Sequence, residues 1–367
     1  MPTAADTTWI VDHARSLGFD LCGIVRAESF PELSQFDEWL TSGYAGEMTY
    51  LADERRRQPS LAMENLHSVI VCALNYNTAY PYSVDCAATT DPSQEPRGWI
   101  SRYAWGSDYH EVLWRKLNAL QSALRQKFPG PFAARSYADT GPVAERVFAK
   151  YAGLGWLGKN TLLLNENLGS WFFLGVILTS LDLLPTVPLG ETPPPDLCGN
   201  CRQCLDACPT GALIEPYVMD ARKCISYLTI ELRGEIPEDL REPMGWQVYG
   251  CDICQDVCPY NRNVPITATP EFQPRQIHHE DETLFQPKLS WLAALGQQDF
   301  REKFRGSAMK RAKWQGLVRN ACIALGNSRV QKGTPAHAET VTLLQHLLNS
   351  PDSAIAISAQ WALSRIE

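Results

Sequence analysis

Two runs of cysteine constrain this chain more than any other feature. Cys198, Cys201, Cys204 and Cys208 form CxxCxxCxxxC, closed by Pro209. Cys251, Cys254 and Cys258 form CxxCxxxC, closed by Pro259. Cys224 lies between them and brings this stretch to eight of the chain's twelve cysteines. A two-residue spacer wraps consecutive thiolates around one small centre. The three-residue spacer ending in proline turns the last thiolate away. A pair of structural zinc sites is the competing reading, since zinc also takes CxxC pairs. But zinc closes with four ligands, and three adjacent thiolates from one CxxCxxC triplet do not fit comfortably on one tetrahedral ion. Eight thiolates are what two [4Fe–4S] cubanes need.

The first run has the spacing of bacterial ferredoxins, in which the fourth cysteine ligates the other cluster. One cubane is then expected on Cys198, Cys201, Cys204 and Cys258. The other is expected on Cys208, Cys224, Cys251 and Cys254. Clusters held this way lie close enough to exchange electrons. The remaining cysteines are scattered. Cys22, Cys72 and Cys322 stand in apolar contexts and read as core residues.

A ferredoxin module alone is a carrier, but here some 190 residues precede it, in a chain of 367. That length predicts two or three domains. Helical and strand-like stretches alternate up to about residue 185, which argues for an α/β domain. Helices are expected at Thr8–Leu17, leading to an apolar segment at Phe19–Val25, and at Asp108–Lys127, and strands at Ser68–Leu74 and Gly169–Thr179. The five prolines from Pro185 to Pro195 read as a linker. Beyond about 305 the pattern is helical. Ala321, Ala324 and Leu325 recur 38 residues later as Ala359, Ala362 and Leu363, a period close to that of HEAT repeats.

The net charge is −8, so the whole chain is no general nucleic-acid binder. Between Arg301 and Thr334, however, nine basic residues face only Glu302, giving +8 and leaving −16 for the rest. This reads either as a solvated helix face or as a patch for an anionic partner. The N-terminus lacks the basic start and apolar run of a signal peptide. The strongest apolar run, Trp171–Leu178, is far too short for a membrane span. The expectation is a cytoplasmic protein without membrane contact, whose cysteines are metal ligands. Without an apolar dimer stripe, it is expected to be a monomer. No GxGxxG and no P-loop appear, so the first domain must use something other than a nicotinamide, flavin or nucleotide site.

The segments RYAWGSDYH from Arg102, YADTGPVAER from Tyr137, GWLGKN from Gly155, DACPTGAL from Asp206, CISYLT from Cys224 and YGCDICQDVCP from Tyr249 answer that question. In these motifs and their order the chain resembles the epoxyqueuosine reductases, cobalamin-dependent enzymes of the last step of tRNA queuosine synthesis. The resemblance implies an α+β multidomain protein. Its parts are a cobalamin-binding α/β catalytic domain over 1–185, akin to that of reductive dehalogenases, and a ferredoxin-like domain with two [4Fe–4S] clusters over 186–265. A connecting segment over 266–304 leads to a HEAT-like helical tRNA-binding region over 305–367.

It further implies reduction of epoxyqueuosine to queuosine at the tRNA wobble position. Cob(I)alamin opens the epoxide, and an electron donor feeds the two clusters. An epoxide oxygen leaves only when protonated, so an acid is needed. The resemblance assigns that role to Asp139, which desolvation beside a corrin would keep protonated. Read locally, Asp139 ahead of Thr140, Gly141 and Pro142 is instead an N-cap of a helix with proline in its first turn.

Cobalamin contacts implied in the same way are Arg56, Ser101, Lys159, Asn160 and Ser226, with Ser101 standing where some relatives carry cysteine. Arg146, two turns along the expected helix, reads as a nucleotide contact or a surface arginine. The basic region would hold tRNA phosphates through Lys310, Arg311, Lys313 and Arg319. His110 is read as structural. Rival readings are a cobalamin-dependent reductive dehalogenase-like enzyme, a ferredoxin-type electron carrier and an RNA-binding protein with structural clusters.

Overall fold

The computed structural model describes residues 2–87, 91–277 and 282–367. Its first half is built on a four-stranded sheet of β1 (Leu21–Arg26), β2 (Ser68–Asn75), β3 (Ala134–Tyr137) and β4 (Phe172–Thr179), in the order β1-β2-β4-β3. Every pairing is antiparallel. The helix–strand alternation read from the sequence is present, but its strands do not run parallel as in a doubly wound fold.

β2 is buried along its whole length, and its alternating side chains fill two cores. Ile70, Cys72 and Leu74 face α1 (Ala4–Ser16) and α2 (Tyr109–Lys127). Val69, Val71 and Ala73 face α3 (Glu145–Tyr151) through Val147, Phe148 and Ala149. Burying each large aliphatic chain contributes about 1.5–3 kcal/mol. The helices press close. A Cβ on Gly23 would sit 2.3 Å from the Ala152 carbonyl oxygen, and one on Gly175 would sit 2.9 Å from Leu117. Cys22 and Cys72 are buried strand neighbours with Sγ atoms 3.7 Å apart, and Cys322 is buried in the C-terminal core.

A third core joins distant parts of the chain. The short strand Trp99–Ile100 pairs in parallel with Gln247–Tyr249, just ahead of Cys251. Trp99 and Trp105 pack with Val248, Leu289 and Leu292 and with the C-terminal helices α4 (Lys313–Asn327), α5 (Pro335–Leu347) and α6 (Ser353–Ile366). The residues matched at an offset of 38 lie buried where α4 and α6 pack on each other. A Cβ on Gly326 would meet the Ala362 backbone at 2.8 Å. Residues 185–198 carry no regular structure, although Thr186 N–H donates to the Ile24 carbonyl at 2.9 Å.

Two sequence expectations are corrected here. The helix after Asp139 begins only at Glu145, so Asp139 is no N-cap and does not share a helix with Arg146. Pro142 and Gly141 hold an irregular turn instead, with Gly141 pressed against the Tyr137 ring, 2.5 Å from where its Cβ would be. Arg319, expected on the tRNA face, is buried in α4 at 1% exposure. Its guanidinium donates to the carbonyls of Leu228 (2.6 Å), Leu232 (3.1 Å) and Gly234 (2.5 Å), so it cannot also reach a phosphate. The neighbouring Asn320 amide donates to the carbonyls of Thr229 (2.8 Å) and Val248 (2.9 Å).

Candidate functional site: cysteine cavities and an acidic cleft

The eight cysteines surround two separate cavities. Cys198, Cys201, Cys204 and Cys258 line a small one, together with Lys159 and Tyr260. Cys208, Cys224, Cys251 and Cys254 line part of a cleft of about 430 Å³. The first set takes three thiols from the first run and Cys258 from the second; the other takes Cys251 and Cys254 from the second run, Cys208 from the first and Cys224 from between them. The turn at Cys208-Pro209 and the turn at Cys258-Pro259 send the last thiol across to the other group. The donor set fits iron–sulfur chemistry: soft thiols around a cage rather than converging on a point. Burial pushes the Cys251 and Cys254 thiols well up, a cost that binding a metal as thiolate must override.

Lys159 braces the smaller cavity. Its ammonium donates to the carbonyls of Gly199 (2.5 Å) and Cys201 (2.9 Å) and sets the first cysteine loop. It therefore lies on the side away from the cleft. Asn160 lines both cavities and donates to the Cys254 carbonyl at 3.4 Å. Ser226 lines the cleft beside Cys224. Ser101 also lines it, with its hydroxyl donating to buried Asp252, which further accepts from Trp99 Nε1 (3.0 Å) and Arg102 N–H (2.8 Å). Ser101 thus braces the Cys251 turn from the cleft wall.

Asp139, Glu145 and Arg146 line the same cleft, together with Phe172 and Phe173. Asp139 follows β3 in the left-handed region, φ 59°, which turns its carboxylate into the cleft. The Asp139 N–H donates to Glu145 Oε1 at 2.7 Å and fixes that turn. Tyr109 donates its hydroxyl to Asp139 Oδ2 at 2.8 Å, and His110 Nε2 lies 3.8 Å from the same oxygen. On the other side of the ring, His110 Nδ1 is 2.7 Å from Asp108 Oδ1. The Arg146 guanidinium donates to the Thr161 carbonyl at the cleft wall.

Desolvation is the largest single influence on Asp139 and acts to raise its pKa. The His110 ring 3.8 Å away, the hydrogen bond from Tyr109 and the charge of Arg56 together outweigh it and hold Asp139 below the ordinary carboxylate range. The carboxylate is nevertheless 68% exposed, because the cleft in front of it is open, and water weakens the pull of these neighbours. Glu145 behaves oppositely: burial, then the charge of Asp139, push it up to about 8. His110 is desolvated, but its hydrogen bond to Asp108 and the nearby Asp139 carboxylate prevail and raise it to about 9. In the open cleft the protons therefore sit on Glu145 and His110 rather than on Asp139.

Arg56 does not line the cleft. Its guanidinium lies 5.8 Å from the Tyr50 ring centroid, and Arg311 covers the same ring at 5.4 Å. Arg311 is also held by a two-pronged pair with Glu231, at 2.8 and 2.7 Å. Lys310 and Lys313 are exposed. Tyr109, Glu145 and Asp252 had no role in the sequence reading, and His110 had only a structural one. Tyr109 and His110 lie in the RYAWGSDYH segment and Glu145 in YADTGPVAER, and only the fold shows that the two segments meet.

Thiol cages beside a cleft with an acidic, hydrogen-bonded wall define an iron–sulfur oxidoreductase. Residues 197–261 match the 4Fe-4S double cluster binding domain, and residues 56–140 match the family described as epoxyqueuosine reductase QueG, DUF1730. The epoxyqueuosine reductase of Gloeobacter violaceus is 43% identical over 89% of this chain and 97% of its own. That of Pseudomonas aeruginosa is 36% identical over 97% and 93%. The chain belongs to the epoxyqueuosine reductase family. A crystal structure of a selenomethionine-labelled epoxyqueuosine reductase superposes with a TM-score of 0.84, at 31% identity, over 98% of this chain and 90% of that one. A second structure, of an epoxyqueuosine reductase with an epoxyqueuosine-modified tRNA-Tyr stem loop, superposes at 0.83 with 31% identity over 98% and 89%. Among the described residues no helix is long and apolar enough to cross a membrane.

Proposed function

We propose that this protein reduces epoxyqueuosine to queuosine at the wobble position of tRNA, with cobalamin in the cleft and Asp139 delivering protons to the epoxide oxygen. The observation that carries the reading is that Cys208, Cys224, Cys251 and Cys254 line the same cleft as Asp139. A centre held by those thiols would abut whatever occupies the cleft, and the set around Cys198 would lie behind it, next to the solvent-facing loop. This order supports entry of electrons from a donor at Cys198, Cys201, Cys204 and Cys258 and their exit at the cleft.

The apolar floor of Phe172, Phe173 and Leu174, with polar groups at the rim, fits a large flat amphiphile such as a corrin. Cobalamin bound there would supply a strongly reducing cobalt centre. Ser226 and Asn160 would contact it from the cysteine side. Asp139 would hold its carboxyl towards the substrate, with Tyr109 fixing one oxygen and Glu145 fixing the turn. Arg146 would meet the nucleotide at the mouth. Lys310 and Lys313 would meet tRNA phosphates, in keeping with the stem-loop complex of a relative. The modified base would have to leave the anticodon stack to enter.

The test is anaerobic reconstitution with epoxyqueuosine-containing tRNA and a low-potential reductant, with and without cobalamin, followed by mass analysis of the digested nucleosides. Loss of one oxygen only with cobalamin establishes the reaction. No conversion in either arm, with clusters verified, refutes it.

A further inference from the structure

We infer that Asp108, His110 and Asp139 form a proton chain in which His110 recharges Asp139 within each turnover. The inference rests on Asp139 being the acid of the proposed reaction. Converting an epoxide to an alkene breaks both carbon–oxygen bonds, takes up two electrons from the external reductant and puts two protons on one oxygen, which leaves as water. A single carboxyl carries one proton at a time. In the open cleft Asp139 is already an anion, so each proton it delivers must first reach it from a neighbour or from solvent.

The geometry favours the neighbour. His110 Nε2 is buried, has no hydrogen-bond partner, and lies 3.8 Å from Asp139 Oδ2. A shift of about 1 Å brings it to hydrogen-bond length. The opposite ring nitrogen is held 2.7 Å from Asp108 Oδ1. Asp108 is in turn fixed as the N-cap of α2, where it accepts from the His110 N–H at 3.2 Å. The ring is stacked on Tyr109 with centroids 4.0 Å apart, so it cannot swing away from Asp139 without breaking that contact.

The charged groups facing the chain agree. Asp108 and Asp139 flank the imidazole, the charge of Lys310 reaches Asp108, and those of Arg56 and Glu145 reach the Asp139 end. Tyr109, pushed well up by burial and by Asp139, stays neutral and serves only as a donor. The step balances: the Nε2 proton moves to Oδ2, the imidazole is left neutral with Nδ1–H donating to Asp108, and it takes up a proton from solvent before the second transfer. When substrate displaces water from Asp139, its carboxylate gains proton affinity, which drives the transfer. His110 acts through Asp139 and is a positioning residue for the proton.

The test uses full-length, cluster-loaded protein with cobalamin and an epoxyqueuosine stem loop. Single-turnover rates are measured from pH 6 to 10 for wild type, D139A, H110Q, D108N and H110A with added imidazole. Expected results are a rate at least tenfold lower for H110Q at neutral pH, with unchanged stem-loop affinity and cluster absorption, and recovery of H110A by imidazole. The wild-type rate should fall above about pH 9, and D108N should move that fall to lower pH. Exchange at the His110 ring C2 position, followed by mass spectrometry on protein without cobalamin, should titrate near the same value. Wild-type rate and pH profile in H110Q, with D139A inactive, would overturn the chain and leave the acid in place. Full activity in D139A would remove the acid itself.

Discussion

Glu145→Gln isolates the cost of keeping a carboxyl in the cleft wall. Glu145 sits at about 8 against an ordinary value of 4.5, a difference of 3.5 units. At 1.36 kcal/mol per unit this corresponds to about 5 kcal/mol, and water in the open cleft screens it to roughly 2 kcal/mol. The sign follows from which state binds the proton. Below pH 4.5 the side chain is neutral in both states and there is no penalty. Between 4.5 and 8 the unfolded chain has released the proton and the folded one has not, so stability falls as pH rises. Above 8 the penalty is complete.

Glutamine keeps the oxygen that accepts the Asp139 N–H at 2.7 Å and removes the titration. For a chain of 367 residues, 2 kcal/mol is about 3 °C in Tm. Thermal melts of the cluster-loaded protein under anaerobic conditions should show equal Tm for wild type and variant near pH 5 and a variant advantage of about 3 °C at pH 8.5. A constant difference across that range would refute the assignment of a protonated Glu145.

Other substitutions separate the remaining parts. Cys201→Ser and Cys251→Ser should each cut bound iron from about eight to about four atoms, with only the second removing the centre that abuts the cleft. Iron analysis and low-temperature spectra check this. Arg319→Met leaves the carbonyls of Leu228, Leu232 and Gly234 without their donor and should cost at least about 3 kcal/mol, read as a lower Tm. Stem-loop affinity of the folded fraction should not change. Lys310→Glu with Lys313→Glu should instead leave Tm within about 1 °C and reduce the slope of log affinity against log salt by about 2.

The cysteine constellation was legible because its spacing is itself the geometry: each short spacer can reach one cage and the Cys-Pro turn another. β2 and α2 were legible to within a residue, since six apolar residues in a row and a long apolar stripe have no other use. β3 was missed. Its sequence, ARSY, is short, polar on one face and lacks alternation, and it exists because β4 offers it an edge. Sheet direction was not legible either, because periodicity carries no information on pairing. Arg319 misled for a definite reason. In sequence it is one of a run of basic residues, and nothing local shows that three carbonyls from residues 228–234 wait for it. The Asp139 neighbourhood needed the fold, since Tyr109 and His110 reach it from 30 residues away.

Arg319 and Asn320 also bear on the order in which this protein can be finished during synthesis. They hang from α4, near the end of the chain, yet they hold residues 228–234 just after Cys224 and Val248 just before Cys251. The four thiols around Cys198 have all been synthesised by residue 258, whereas those at the cleft, braced earlier through Ser101 and Asp252, gain the support of Arg319 and Asn320 only when residues 313–327 fold. Metal loading is then expected in stages: the outer centre can fill on a nascent chain, and the inner one gains its full support only on a nearly complete one.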